Sequence, residues 1–309
     1  MRTLKNKPAV IHPVLLVVPL LVLILAISGA GCAPQPTETA VPTQNTPLPT
    51  LTSLPALTAT PTFELLDHGL QYMVVGLYPD GYLPLYLEPT LSSEIIRQIP
   101  PTGKSIPTTG SEVNSDGITW LQIVYQESGG WVDKAYLARQ SGDIPEEVVA
   151  VAHMVVAALK TADYQRLSDI IHPELCLRFS PYPYLRESDL TFCPEQLAGL
   201  PGSNTQFTWG RYDGSGETID LTFDEYHQRF VYDQDYYQPD VVGLDQEVSS
   251  GNAINNISDI FPDGMIVEYH FPGFDSQYAG MDWRSLRLVF AQEKGGWFLV
   301  ALVHGEWTI

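Results

Sequence analysis

Between residues 67 and 140 no segment shows the apolar periodicity of a helix. Turn-forming clusters interrupt the chain at Pro79-Asp80-Gly81, Pro100-Pro101-Thr102-Gly103, Asn114-Ser115-Asp116-Gly117 and Ser128-Gly129-Gly130. Glycine supplies positive φ and proline a fixed φ, so each cluster reverses the chain. Short β-prone runs separated by turns at intervals of roughly 8–12 residues predict a small barrel or sandwich. This stretch is therefore restricted to strands.

Residues 143–309 carry a different pattern. Asp143-Ile144-Pro145-Glu146 reads as a helix start, with Pro near the first turn. Val148, Ala152, Val155 and Leu159 then recur at helical spacing up to Lys160. A second helix is predicted from Asp163 to Ile171, ending at His172-Pro173. Thr222-Phe223-Asp224-Glu225 has the form of a capping box and marks a third. Strands are predicted over 265–270, 285–290 and 297–303, the last two joined around Lys294-Gly295-Gly296.

The N-terminus bears on location. Arg2, Lys5 and Lys7 precede an apolar run from Val10 to Ile27, followed by Ser28-Gly29-Ala30-Gly31-Cys32. A basic start, an apolar stretch and a small-residue exit form an export signal. The run is about the minimum for a membrane span, and His12, Pro13 and Pro19 weaken it as a permanent helix. Residues 32–66 are dominated by Pro and Thr, with few charges. Such a chain cannot bury a core. At ~3 Å per residue it would act as a spacer of up to roughly 90 Å.

The chain has 16 Lys+Arg against 36 Asp+Glu, a net charge of −20. Nucleic-acid binding rests on neutralising phosphates with Lys and Arg, so this balance argues against it. Apart from Cys32, the cysteines are Cys176 and Cys193. Pairing them would close a loop of about 17 residues, worth about 3 kcal/mol in the chain-entropy model. The alternatives are a metal site with His172 and two free buried thiols. Two Cys and one His are an incomplete ligand set, which favours the disulfide.

Three resemblances follow from these residues. Ser28-Gly29-Ala30-Gly31-Cys32 resembles the lipobox of bacterial lipoproteins, departing from it at Gly29, where an aliphatic residue is usual. It implies a signal peptide over 1–31 and a mature chain lipidated at Cys32, held to a membrane outside the cytoplasm. Leu85-Tyr86-Leu87-Glu88-Pro89, Thr119-Trp120-Leu121-Gln122-Ile123, Gly130-Trp131-Val132 and Ala135-Tyr136-Leu137 resemble the bacterial SH3 (SH3b) family. That likeness implies an SH3-like barrel over 67–140, with exposed aromatics as contacts for cell-wall peptide or glycan. Tyr82, Tyr86, Trp120 and Trp131 are the candidates. The stretch 158–173 and the last hairpin resemble the NTF2-like, cone-shaped α+β fold, which implies such a domain over 143–309. The expected fold class is therefore a small all-β barrel followed by an α+β cone.

No specific catalytic constellation is present: there is no Gly-x-Ser-x-Gly elbow, no His-Glu-x-x-His and no P-loop. In a strand over 265–270, Ile266, Glu268 and His270 share a face. Glu268 and His270, together with Asp282 and Arg284, form the candidate pocket in the hollow of the cone. The acidic turns at 213–217 and 233–235 do not complete a calcium loop. The expectation is a lipid-anchored cell-envelope protein, non-catalytic, needing no cofactor or metal. Its first domain would bind cell-wall peptide or glycan and its second a ligand or protein partner. The alternative is an extracytoplasmic hydrolase-like enzyme with its site around His270.

Overall fold

The computed structural model describes residues 69–249 and 251–308. The chain divides into two units, 1–58 and 59–309, and every described element belongs to the second. The expected signal, Cys32 and the spacer at 32–66 lie outside the described residues.

Seven strands come first: β1 Gln71–Val74, β2 Leu83–Tyr86, β3 Ile95–Ile99, β4 Ile106–Ser115, β5 Ile118–Tyr125, β6 Ser128–Asp133 and β7 Leu137–Gly142. Two of their turns are two-residue reversals with both φ positive, Asp116-Gly117 between β4 and β5 and Gln126-Glu127 between β5 and β6. The Gly129-Gly130 step is thus inside β6 and not in the turn that the sequence suggests. Gly130 is needed there because a Cβ would come within 2.5 Å of the Tyr86 carbonyl oxygen.

Helix α1, Glu146–Lys160, follows. Glu146 and Glu147 in its first turn and Lys160 in its last complement the helix dipole. Five of its residues are Val, which resists helix formation modestly. Burial on nearly every side outweighs that: Val148, Val149, Val155, Val156 and Leu159 are all buried. The second expected helix is the short α2, Tyr164–Ser168, capped by the Asp163 carboxylate. Then come β8 Leu177–Ser180, β9 Thr191–Phe192, α3 Pro194–Leu197, β10 Gln206–Arg211 and β11 Thr218–Thr222. The capping box at Thr222 and Glu225 is formed, and α4, Phe223–Tyr226, runs into a π-helical turn over His227–Val231. The last elements are β12 Val241–Leu244, α5 Ile257–Ile260, β13 Met265–Phe271, β14 Arg284–Glu293 and β15 Gly296–Glu306.

These elements correct the expected fold class. The protein is mostly β, with few helices. One 13-stranded mixed sheet runs β3-β2-β6-β5-β4-β1-β7-β12-β13-β14-β15-β8-β9, beside a separate β10-β11 pair. It is not an SH3-like barrel followed by an α+β NTF2-like cone. The reason lies at β7. One edge of β7 pairs antiparallel with β1, and the other pairs in parallel with β12, Arg139 against Val241 through Gly142 against Leu244. The expected boundary at 140–143 therefore falls inside a shared strand. Side-chain alternation makes the same join: Tyr72 and Val74 of β1 enter one core while Met73 enters the next.

The sheet β13-β14-β15 is covered on both faces. Val267, Tyr269, Leu286, Leu288 and Phe290 pack beneath α1 in the largest core. Ile266, Val289, Val300 and Val303 pack on the opposite face with Leu185 and Ile257. Cys176 and Cys193 are joined in a disulfide that ties the start of β8 to the N-terminus of α3. His172 is not a metal ligand partner to them. Its Nδ1 accepts from the Glu174 and Leu175 backbone N–H groups at 3.2 and 3.1 Å, fixing the turn.

Candidate functional site

Two surfaces gather the residues singled out above. The first is an aromatic groove of about 290 Å³ on the β1–β7 part of the sheet. Tyr82, Tyr86 and Trp120 line it, joined by Pro84, Leu91 and Tyr136. Trp120 is fully buried and forms the floor. Its indole N–H donates to the Ser115 carbonyl oxygen at 3.2 Å, and Tyr86 meets it edge-on with ring centroids 5.3 Å apart. Tyr82 is 45% exposed and Leu91 59%, so the walls are open to solvent while the floor is fixed. Trp131 faces Tyr86 in the strand register but does not line the groove. Asp133 is the one charged lining residue, and its carboxylate accepts from the Ala135 N–H at 3.0 Å. Large amphipathic rings on a rigid floor give contact area at low entropic cost.

The second surface involves Glu268 and His270. Both lie on the face of β13 opposite α1, together with Ile266, and not in a hollow beneath the helix. Glu268 is fully buried. Its Oε1 accepts from Ser285 Oγ at 2.7 Å and its Oε2 from the Val248 N–H at 3.0 Å. Arg287 reaches the same carboxylate at 3.2 Å, and also Glu247 and Ser249. Burial alone would push the Glu268 carboxyl up. The Arg287 charge and the converging hydrogen bonds outweigh it and hold the group below the usual carboxylate range.

His270 stands directly across from Ser285 in the β13–β14 register, with its Nδ1 2.8 Å from Ser285 Oγ. A hydroxyl has one proton, and that of Ser285 goes to the ionised Glu268. Ser285 must therefore accept from His270, which puts the imidazole proton on Nδ1 and a lone pair on Nε2. Burial lowers the His270 pKa, with Arg287 adding to the effect and Glu268 opposing it, so the ring is neutral at neutral pH. Ser285 is fully buried, which keeps its oxygen from reaching any substrate as a nucleophile.

Asp282 and Arg284 do not join this pair. Asp282 Oδ2 accepts from the N–H groups of Phe274 and Asp275 at 3.0 and 2.8 Å, pinning the loop that precedes β14. Arg284 belongs to the opposite face. Its Nε lies 3.2 Å from Asp233 Oδ2 and its Nη2 3.3 Å from Glu306 Oε2. His304 Nε2 meets the same Asp233 oxygen at 3.2 Å, and Arg229 meets Glu306 at 2.7 Å. Burial pushes Asp233 up, but hydrogen bonds from His304 and Tyr236 and the Arg284 charge bring it below its usual range. Sequence reading missed this network because its members come from the π-helical turn, the segment after it and the last hairpin. Its one local signal was the acidic pair Asp233 and Asp235. Among the described residues, no group of His, Cys, Asp and Glu is placed to hold a metal ion.

No protein-family model, curated protein or solved structure matches the chain.

Proposed function

We propose that this is an extracytoplasmic, lipid-anchored binding protein whose aromatic groove takes cell-wall glycan. The observation that carries the reading is the convergence of Tyr82, Tyr86, Leu91 and Tyr136 over the fixed Trp120 floor. Flat rings stack on sugar faces, and a groove without a lining cation suits a neutral polymer better than an acidic peptide. The resemblance at 28–32 to a lipobox supports the location, with Cys32 carrying the lipid and residues 32–66 acting as spacer. The C-terminal strands supply a second surface for a ligand or partner. Binding accounts for the groove without any chemistry: its lining holds no nucleophile–base pair.

The test uses the full-length chain, since β7 pairs with β12 and the 67–140 segment alone would expose that edge. Wild type should be retained on purified wall material. Tyr82→Ala with Tyr86→Ala should reduce retention by at least tenfold, the loss of two stacking platforms. Equal retention of the double variant, with unchanged near-UV circular dichroism, would remove the groove from consideration. Retention lost on enzymatic removal of wall peptide alone would assign the groove to peptide instead.

A further inference from the structure

A pocket of about 390 Å³ opens between the loop that joins β8 to β9 and the β10–β11 pair. That size falls in the range of ~300–1,000 Å³ usual for small-molecule sites. Arg186, Ser188, Thr208, Gly210, Arg211 and Thr218 line it, with no carboxylate among them. Both sides are set in advance of any ligand. Asp189 is buried, and its Oδ2 accepts from the Arg186 N–H at 2.7 Å, closing the turn that carries Arg186. On β10 the pairing with β11 shifts between Thr208 and Arg211, where Gly210 takes a φ of 133°. Arg211 Nη1 donates to the Gly216 carbonyl oxygen at 2.8 Å, which ties the side chain to its own hairpin.

The charge in this pocket is unmatched. Arg229, Arg284 and Arg287 each hold a carboxylate, whereas Arg186 and Arg211 form no ion pair among the described residues. Two neighbouring carboxylates are engaged elsewhere. Asp189 is taken up by the Arg186 backbone, and Asp220 accepts from the Thr208 and Thr218 hydroxyls at 2.6 and 2.5 Å. Those two hydroxyls have spent their protons. The donors left to a ligand are the guanidinium N–H groups and the Ser188 hydroxyl. Both arginines are exposed, so these donors are open to a ligand. The pocket beside His270 differs. It has a volume of about 350 Å³, Met281, Trp283 and Trp307 are among its walls, and it presents no charged side chain.

We propose that the Arg186–Arg211 pocket binds an oxyanion, the carboxylate or phosphate of a small ligand. A guanidinium presents its N–H groups in a planar fork that matches two oxygens of either group. Such charge-assisted hydrogen bonds are roughly twice as strong as neutral ones. A neutral hydroxyl ligand finds donors here but leaves both charges unmatched, so the arginine pair separates the two classes. The chain as a whole carries a net charge of −20 and repels anions, which makes a local positive pair the condition for holding one. The site is separate from the β1–β7 groove and does not depend on what that groove binds.

The experiment titrates the full-length protein with sodium phosphate, sodium acetate and, as the neutral comparator, methyl glucoside. Backbone amide NMR shifts are followed at constant ionic strength. Saturable shifts at residues 186–189 and 208–218 are expected with at least one anion, and the tighter of the two assigns the group as phosphate or carboxylate. Arg186→Gln with Arg211→Gln, both at exposed positions, should weaken that binding at least tenfold. Arg186→Gln alone, whose guanidinium makes no hydrogen bond among the described residues, should weaken it at least threefold. Arg97→Gln with Arg166→Gln removes the same charge away from this pocket and from the aromatic groove, and should leave the affinity within about twofold. No saturable shift with either anion, an equal response to methyl glucoside, full affinity in the pocket variants, or an equal loss in the charge-matched variant would each overturn the assignment.

Discussion

Two charged clusters sit on opposite faces of the same three strands, and they are built differently. On one face, Glu268, Ser285, His270 and Arg287 come from β13 and β14 alone, in direct cross-strand register. On the other, Asp233, Arg284, His304, Glu306 and Arg229 come from three separate segments. The first cluster ends at a pocket through His270. The second lines none of the pockets described above, and works as a brace between the π-helical turn and the last hairpin. Charge alone therefore does not mark a site: both networks are rich in it, and only the first borders a pocket described above.

Removing an arginine from each face should separate the two most strongly. Arg287 is 2% exposed and is the charge partner of a fully buried glutamate. Arg287→Ala strands that carboxylate, and breaking a buried pair in this way costs about 3–5 kcal/mol. Arg284 is more exposed, and its partners keep His304 and Arg229. Arg284→Ala should cost about 1–2 kcal/mol, nearer the value of a charged hydrogen bond. Urea unfolding of the two variants measures this directly. Equal losses would mean that the braced face is as dependent on one residue as the relay.

Acid offers a second way to separate the faces. His153, in α1, is buried with Nε2 unpaired, and burial lowers its pKa from 6.5 to about 4. The unfolded chain then takes up the proton first. The stability this histidine contributes is fully present above about 6.5 and is lost as pH falls through about 4, roughly 3 kcal/mol in all. Asp233 and Glu268 are also held below their usual range, so their contribution is lost later, as pH falls below the ordinary carboxylate range of about 4. His153→Leu should flatten the upper part of the pH–stability curve and leave the lower part in place. An unchanged slope between pH 6.5 and 4 would show that the networks, and not the lone histidine, set the acid response.

What the sequence made legible follows the same division. Period-2 alternation placed Glu268 and His270 on one face because that rule is local. The capping box at Thr222, the first helix and the last hairpin were readable for the same reason. Of the four aromatics expected as contacts, Tyr82, Tyr86 and Trp120 line one groove and Trp131 does not. The pairing of β7 with β12 was not readable: Val241-Val242-Gly243-Leu244 is four residues without a period, and its partner lies about a hundred residues away. That one pairing turns two expected domains into a continuous sheet. Arg284 and Asp282 adjoin the His270 strand in sequence, yet one step along β14 sends Arg284 to the far face and the loop clamp keeps Asp282 out of the pocket lining.

The smallest effect concerns two hairpin turns, one in each part of the sheet. Lys294-Gly295 joins β14 to β15 and Gln126-Glu127 joins β5 to β6, with both residues of each turn at positive φ. The first has glycine at its second position, where a left-handed conformation costs nothing sterically. The second has a side chain at both, and an L-residue in that region costs roughly 1–2 kcal/mol. Gln126→Asn with Glu127→Gly supplies the pair this turn type prefers, and should raise stability by about 1 kcal/mol in urea. Lys294→Asn should change it by less than about half of that, because Gly295 already occupies the more demanding position. If the Asn-Gly pair left the urea midpoint unmoved, the β5–β6 turn would be held by its strands and not by its own residues.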